Sequence, residues 1–310
     1  MTQGSARLAT ERAASGAGRP RTRISALRSG WPLMLRATAA LAPTPVTVWA
    51  ARSTEAARVH LAAGAAGPLG GDRLRLEVHV GGGSALVLGE IAPTLLLPGP
   101  HGAESRLDVR IHVEPDATLA WLPELVIASR HCRHATDVRV VLESGARLLL
   151  HEEVLFGRHG EPSGRYRQRI RVETVHGPLY DQELNAGPDA PGWDGPAVTA
   201  GHRAAGTVLV VDPLPAAGQD PGAGDTEGGG QPGREPHRTR PGHAPRPGSR
   251  TCPTAAREPG TALMRLSPDS ALVSALAPDT TTLRRRLDRA VAHLLRPHDQ
   301  DPAAPEPLGV

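Results

Sequence analysis

Residues Arg73-Leu74-Arg75-Leu76-Glu77-Val78-His79-Val80 alternate charged and aliphatic side chains without a break. That period of two is the strongest constraint on what this chain can become. Successive side chains of a strand point to opposite faces, whereas a helix would scatter the same residues around its axis. Runs of strand length recur at 46–49, 58–61, 85–90, 107–113, 118–122, 137–143, 147–153, 165–173, 179–184 and 207–211. Turn formers separate them, among them Gly81-Gly82-Gly83, Glu143-Ser144-Gly145 and His176-Gly177-Pro178. Short strands punctuated in this way predict an all-β domain, either a sandwich or a stacked-sheet, β-helix-like fold. One apolar and one polar face per strand predicts mainly antiparallel pairing.

Composition divides the chain further. Residues 1–28 are small or charged, with too few large apolar groups to offset the entropy of ordering, and read as a disordered arm. A β-rich domain follows over 29–213. Residues 214–260 are dominated by Gly, Pro, Arg and Asp and read as a disordered insertion. Over 261–296 the pattern predicts a last strand at 262–266, a helix from Pro268 to Leu276, and a second helix capped by Asp279 that ends near Leu295. In that helix Leu283, Leu287, Val291 and Leu294 share a face opposite Arg284, Arg285 and Arg289. Residues 297–310 read as a disordered tail.

Several function classes are disfavoured. Every one of the 35 basic residues is arginine, yet the net charge is only +3 because acids are interleaved, and aromatics reach 2%. A nucleic-acid face needs clustered bases and stacking rings, so no nucleic-acid partner is expected. The most apolar N-terminal run, 33–42, is interrupted by Arg36 and is too short to span a bilayer. Cys132 and Cys252 stand in unrelated contexts, which favours a reducing compartment. A cytoplasmic protein without a membrane partner is the expectation. Catalysis finds no support: no Gly-x-Ser-x-Gly elbow occurs and no carboxylate pair stands out.

Three landmarks carry the remaining chemistry. Gly70, Gly71 and Asp72 form a tight turn before a clean strand, with Asp72 able to bond turn amides. Trp121-Leu122-Pro123-Glu124 ends a strand: Trp121 is a core anchor and Pro123 stops the ladder. Glu152 aligns with Leu148 and Leu150, and Glu153 with Leu149 and His151, so one carboxylate must share an apolar face. Such a group needs a partner, and Arg158 is the nearest in sequence. Apart from these three landmarks, His131, Cys132 and His134 place three metal-ligating side chains within four residues, without the second distant pair of a structural zinc site.

The order and spacing of the glycine turn, the Trp-Leu-Pro-Glu edge and the Glu-Glu strand resemble the urease accessory protein UreD (UreH) family. Gly157-Arg158, Gly160-Glu161, Gly164 and Gly177-Pro178-Leu179 extend the likeness. Where that family usually carries a Thr-Thr-Gln segment, this chain has Leu86-Val87-Leu88-Gly89-Glu90-Ile91-Ala92-Pro93. The resemblance implies a non-enzymatic, mainly β scaffold that binds apo-urease and recruits UreF and the GTPase UreG for nickel insertion. It implies no tightly bound cofactor, only transient nickel. Glu152 and Glu153 would then line a polar interior or nickel path, and the glycine turn and Trp-Leu-Pro-Glu would mark the fold or an interface. The alternative is a β-sandwich ligand-binding or assembly module unrelated to urease, for which exposed aromatics are scarce.

Overall fold

The computed structural model describes residues 1–14, 18–39, 42–213 and 258–295. Two sheets face each other, and the chain passes repeatedly between them as a β-solenoid of about four turns. The strands are β1 (Gln3–Ala13), β2 (Arg21–Arg28), β3 (Leu33–Ala37), β4 (Ala57–Ala63), β5 (Arg73–Val80), β6 (Ala85–Glu90), β7 (Thr94–Leu96), β8 (Ser105–Val113) and β9 (Thr118–Leu122). They continue with β10 (Val126–Ala128), β11 (Arg133–Leu142), β12 (Arg147–Phe156), β13 (Arg165–Thr174), β14 (Gly177–Ala186), β15 (Ala204–Val211), β16 (Thr261–Ser267) and β17 (Ser270–Ala277). Two α-helices, α1 (Pro45–Ala50) and α2 (Thr280–Leu294), complete the described α/β elements. The first sheet runs β14-β13-β11-β8-β5-β1-β2 and the second β16-β17-β15-β12-β9-β6-β4-β3.

The mainly antiparallel expectation gives way at the centre of both sheets. β1, β5, β8, β11 and β13 pair in parallel, as do β4, β6, β9 and β12. Antiparallel pairs are confined to the flanks. Alternation requires only that one face be buried and the other wet. A solenoid meets that condition with parallel strands, because each tight turn delivers the chain to the opposite sheet. Three such turns stack, and their third residues, Gly83, Asp116 and Gly145, have φ of 62°, 57° and 69°. Glycine and aspartate tolerate this left-handed conformation, so the repeat is written in the turns as well as the strands.

Between the sheets lies an aliphatic core that includes Leu76, Val78, Val109, Ile111, Val138, Val140, Leu148 and Leu150. Outside the first sheet the alternate positions form a lattice of ion pairs. Asp137 receives Arg110 at 2.9 Å and Arg171 at 2.8 Å, Arg169 pairs with Asp181 at 2.7 Å, and Arg167 with Glu183 at 3.0 Å. The arginines of this face are thus largely matched by cross-strand acids. The outer face of the second sheet is apolar and covered by the helices, with Leu283, Leu287 and Ala290 of α2 buried against it.

Several boundaries differ from expectation. Residues 1–28, read as a disordered arm, contain β1 and β2. Their composition is poor in apolar mass, but β1 docks on the ready-made edge of β5 and buries Ala6, Leu8 and Thr10. The run at 46–49 is helical, because Thr44 and Thr47 close a capping box ahead of it and Pro45 starts the turn. The expected helix from Pro268 is instead β17, held between β15 and β16. Asp279 does cap α2, its Oδ1 accepting from the Thr282 amide at 2.8 Å. Of the proposed insertion at 214–260, residues 214–257 lie outside the described residues, as does the tail at 297–310.

The glycine turn ties the N-terminal strand to this frame. Asp72 Oδ2 accepts from the Leu69 amide at 3.0 Å, and Oδ1 accepts from the Thr2 amide at 2.7 Å. Gly70 abuts the backbone of Gly99 and Ala103, where an added Cβ would stand 2.4 Å from Gly99 N. Gly70→Ala is therefore expected to destabilise the protein by about 1–3 kcal/mol, the usual cost of forced overpacking. Urea unfolding measures it, and an unchanged midpoint would show that the approach is not tight.

Candidate functional site

The space between the sheets changes character along the strands. Near the stacked turns it is filled by Val80, Val113 and Leu142. At the opposite end the inward positions carry Ser105, His134, Thr136, Tyr166, Gln168 and Glu152. Alternation alone produces this: Glu152 follows Leu148 and Leu150 on the inner face of β12, and Gln168 precedes Ile170 on β13. A cavity of about 200 Å³ opens there, lined by Glu152, Gln168, Tyr180, Gln182 and Thr207 among others.

Burial dominates the electrostatics of this end. The Glu152 carboxyl is pushed up to about 8 by desolvation, opposed by a hydrogen bond from Gln168 and reinforced by nearby Glu90. Glu90 is itself raised to about 7, again chiefly by desolvation. Taking a carboxylate out of water disfavours its charged form, so Glu152 holds a proton near neutral pH. A cation entering here has to displace that proton.

Glu153 points the other way, out of the second sheet and under α2. Its side chain is only 1% exposed, and Arg284 of α2 donates Nε–H to its Oε2 at 2.9 Å. The other arm of the Arg284 guanidinium reaches Glu124, so the helix bridges two landmarks of the sequence. His151 lies beside Glu153, with Nε2 3.5 Å from Oε1. Desolvation pushes His151 down to about 4, which leaves the imidazole neutral. Glu153 is raised by desolvation and pulled back by Arg284.

The remaining candidates fall elsewhere. Trp121 is buried in the inter-sheet core, and Pro123 directly follows the end of β9. Arg158 does not serve the Glu152-Glu153 pair, since it is bound to Glu161 three residues on. The partner that Glu153 has, Arg284, is 131 residues away and has no local signal in the sequence. Gln168 and Glu90 were also missed, although the alternation of β13 and β6 places both inward.

The His131, Cys132 and His134 cluster is not assembled for a metal. His131 is an exposed residue in a left-handed turn with φ 65°, whereas Cys132 and His134 are buried. His134 bonds Ser105 through Nδ1 at 2.8 Å and Thr136 through Nε2 at 2.9 Å, so both ring nitrogens are in use. Burial pushes the Cys132 thiol up to about 12 and so keeps it protonated. Only His134 lies on β11, while His131 and Cys132 belong to the loop that leads into it. Among the described residues no group of three or more His, Cys, Asp or Glu is placed to hold a metal ion, and no helix is long and apolar enough to cross a membrane.

A family model described as UreD urease accessory protein matches residues 2–308. The urease accessory protein UreD of Streptomyces coelicolor is 39% identical over 284 residues, covering 91% of this chain and 94% of that protein. Its counterpart in Streptomyces avermitilis is 37% identical over 295 residues, covering 95% and 100%. Urease accessory protein UreD 2 of Saccharopolyspora erythraea is 41% identical over a shorter stretch of 157 residues, 51% of this chain and 56% of that protein.

Proposed function

Since the chain belongs to the UreD urease accessory protein family, we propose that it acts in urease maturation as the scaffold that binds apo-urease and recruits UreF and UreG. The protein is a non-catalytic urease maturation factor. Nickel is its transient cargo rather than a resident cofactor, and the work is done at the cytoplasmic assembly of the maturation complex.

One observation supports a route for that cargo through this chain. Glu152 lines the cavity at the polar end of the solenoid, whereas Glu153, adjacent on β12, faces the opposite side of the same sheet under α2. Carboxylates and neutral imidazoles are suitable oxygen and nitrogen ligands for a divalent ion in passage. The buried, protonated Glu152 is a weak resting ligand, which suits transfer better than storage. The solenoid contributes rigidity: side chains on paired strands hold their spacing without the mobility of a loop.

Co-expression of the full chain with the urease subunits, UreF and UreG tests the assignment. A co-purifying complex and nickel-loaded urease are expected. Failure to retain UreF would overturn the recruitment reading. In the same system Glu152→Ala is expected to leave the complex assembled while lowering the nickel content of urease. Full nickel loading by that variant would remove Glu152 from the route.

A further inference from the structure

Two arginines on the outer face of the first sheet have no acid to meet. By strand register, Arg28, Arg7, Glu77, Arg110, Arg139 and Arg171 stand on one rung running from β2 to β13. Arg110 and Arg171 share Asp137, and Arg139 takes Glu173 at 3.0 Å. Arg7 and Arg28 face each other across β1 and β2, and among the described residues neither forms an ion pair. The acids of β1 and β5 are already engaged, Glu11 with Arg23 and Glu77 with Arg75 at 2.7 Å. Like charges directly opposite one another destabilise a sheet. β2 is the last strand of this sheet, so the exposed pair sits at its edge.

Beside the pair, an open cavity of about 400 Å³ is lined by Arg7, Glu77, His79, Arg110, His112 and Arg139 among others. Its imidazoles are occupied: His79 Nε2 stands 2.8 Å from Glu114 Oε1, and His112 Nε2 2.6 Å from Glu143 Oε1. The unmatched charge is that of Arg7 and Arg28. We propose that this face is a docking surface for an extended acidic segment of a partner protein, whose carboxylates are held by Arg7 and Arg28 and reach over the cavity. A guanidinium fork matches a carboxylate through two parallel hydrogen bonds, and the described residues supply no carboxylate to this pair. A nucleic acid fits less well, because no Phe, Tyr or Trp lines the cavity for a base to stack on, and Glu77 opposes a continuous phosphate backbone. The surface lies outside the first sheet, away from the cavity at Glu152, and its role does not rest on nickel.

The test titrates the purified full chain into a fluorescently labelled peptide of alternating Glu and Thr at low ionic strength and reads anisotropy. Arg7→Gln/Arg28→Gln is expected to weaken binding about fivefold or more, the scale of two exposed ion pairs. Arg167→Gln/Arg169→Gln removes the same charge from arginines matched by Glu183 and Asp181, and should leave the affinity unchanged. Equal weakening by both double variants would reduce the effect to net charge and overturn the proposal. A thymidine oligonucleotide of equal charge should compete poorly; displacement of the peptide at equal concentration would make the face a general polyanion site and overturn the acidic-peptide reading. Urea unfolding gives a second readout. Relief of the like-charge pair should hold or raise the midpoint of Arg28→Gln, whereas a fall would make the arginines structural and sink the docking role. Retention of UreF, measured separately, reports on the scaffold role whichever way the peptide result falls.

Discussion

Replacing Asp212 with alanine is expected to cost about 3–5 kcal/mol of stability, because it strands a charged arginine inside the protein. Asp212 Oδ1 accepts from Arg147 Nε at 2.7 Å and Oδ2 accepts from Trp49 Nε1 at 2.8 Å. Arg147 lies over the Trp49 ring, 4.3 Å from its centroid, and its Nη2 donates to the Trp49 carbonyl at 3.3 Å. One carboxylate thus fastens α1 to β12 and to the residue after β15. Asp212→Asn separates the contributions, since it keeps an oxygen for Trp49 while removing the charge. It should fall between the native protein and the alanine variant. The double variant Arg147→Met/Asp212→Asn should recover part of the loss, because no uncompensated charge remains. Urea denaturation measures all three. A loss below about 1 kcal/mol for Asp212→Ala, typical of an exposed pair, would mean that water reaches the arginine.

Glu152→Gln is expected to stabilise the protein increasingly as the pH is raised. The sign follows from linkage: the native carboxyl holds its proton up to about 8, against 4.5 for the ordinary side chain. The contribution is therefore complete below 4.5 and is lost as the pH rises through about 8. Each tenfold difference in proton affinity is worth about 1.4 kcal/mol, so the whole effect is on the order of a few kcal/mol. Glutamine keeps the shape and hydrogen-bonding capacity of the protonated acid but has nothing to ionise. Thermal unfolding of both proteins between pH 5 and pH 9 should show curves that diverge on the alkaline side, and parallel curves would place Glu152 in contact with solvent. On the acid side the opposite rule governs His134 and His151, both pushed down to about 4 by burial. Their contribution is present above the ordinary 6.5 and is lost as the pH falls through about 4.

Much of this architecture was legible because strand alternation is a local property. The run from Arg73 to Val80 states which side chains face the core, and the structure buries Leu74, Leu76, Val78 and Val80. The opposed orientations of Glu152 and Glu153 follow from the same rule. Asp279 announced α2 through its capping geometry, and the glycine and aspartate turns announced the ends of strands. The likeness to UreD lay in the order of those landmarks rather than in any one of them.

The sequence by itself determined β content, the inner and outer face of most strands, the position of the turns and the family. Tertiary structure decided the rest, because it depends on which distant segments meet. Pairing direction is one such case: period two reads alike in either direction, and only stacking of the turns made β5, β8, β11 and β13 parallel. The N-terminal strands are another, since β1 gains its hydrogen bonds from an edge that β5 provides. The carboxylates are the last. Desolvation of Glu152 requires both sheets in place, and the partner of Glu153 arrives from a helix at the far end of the chain. Charge and burial of a side chain are set by neighbours in space, and spacing along the chain does not encode them.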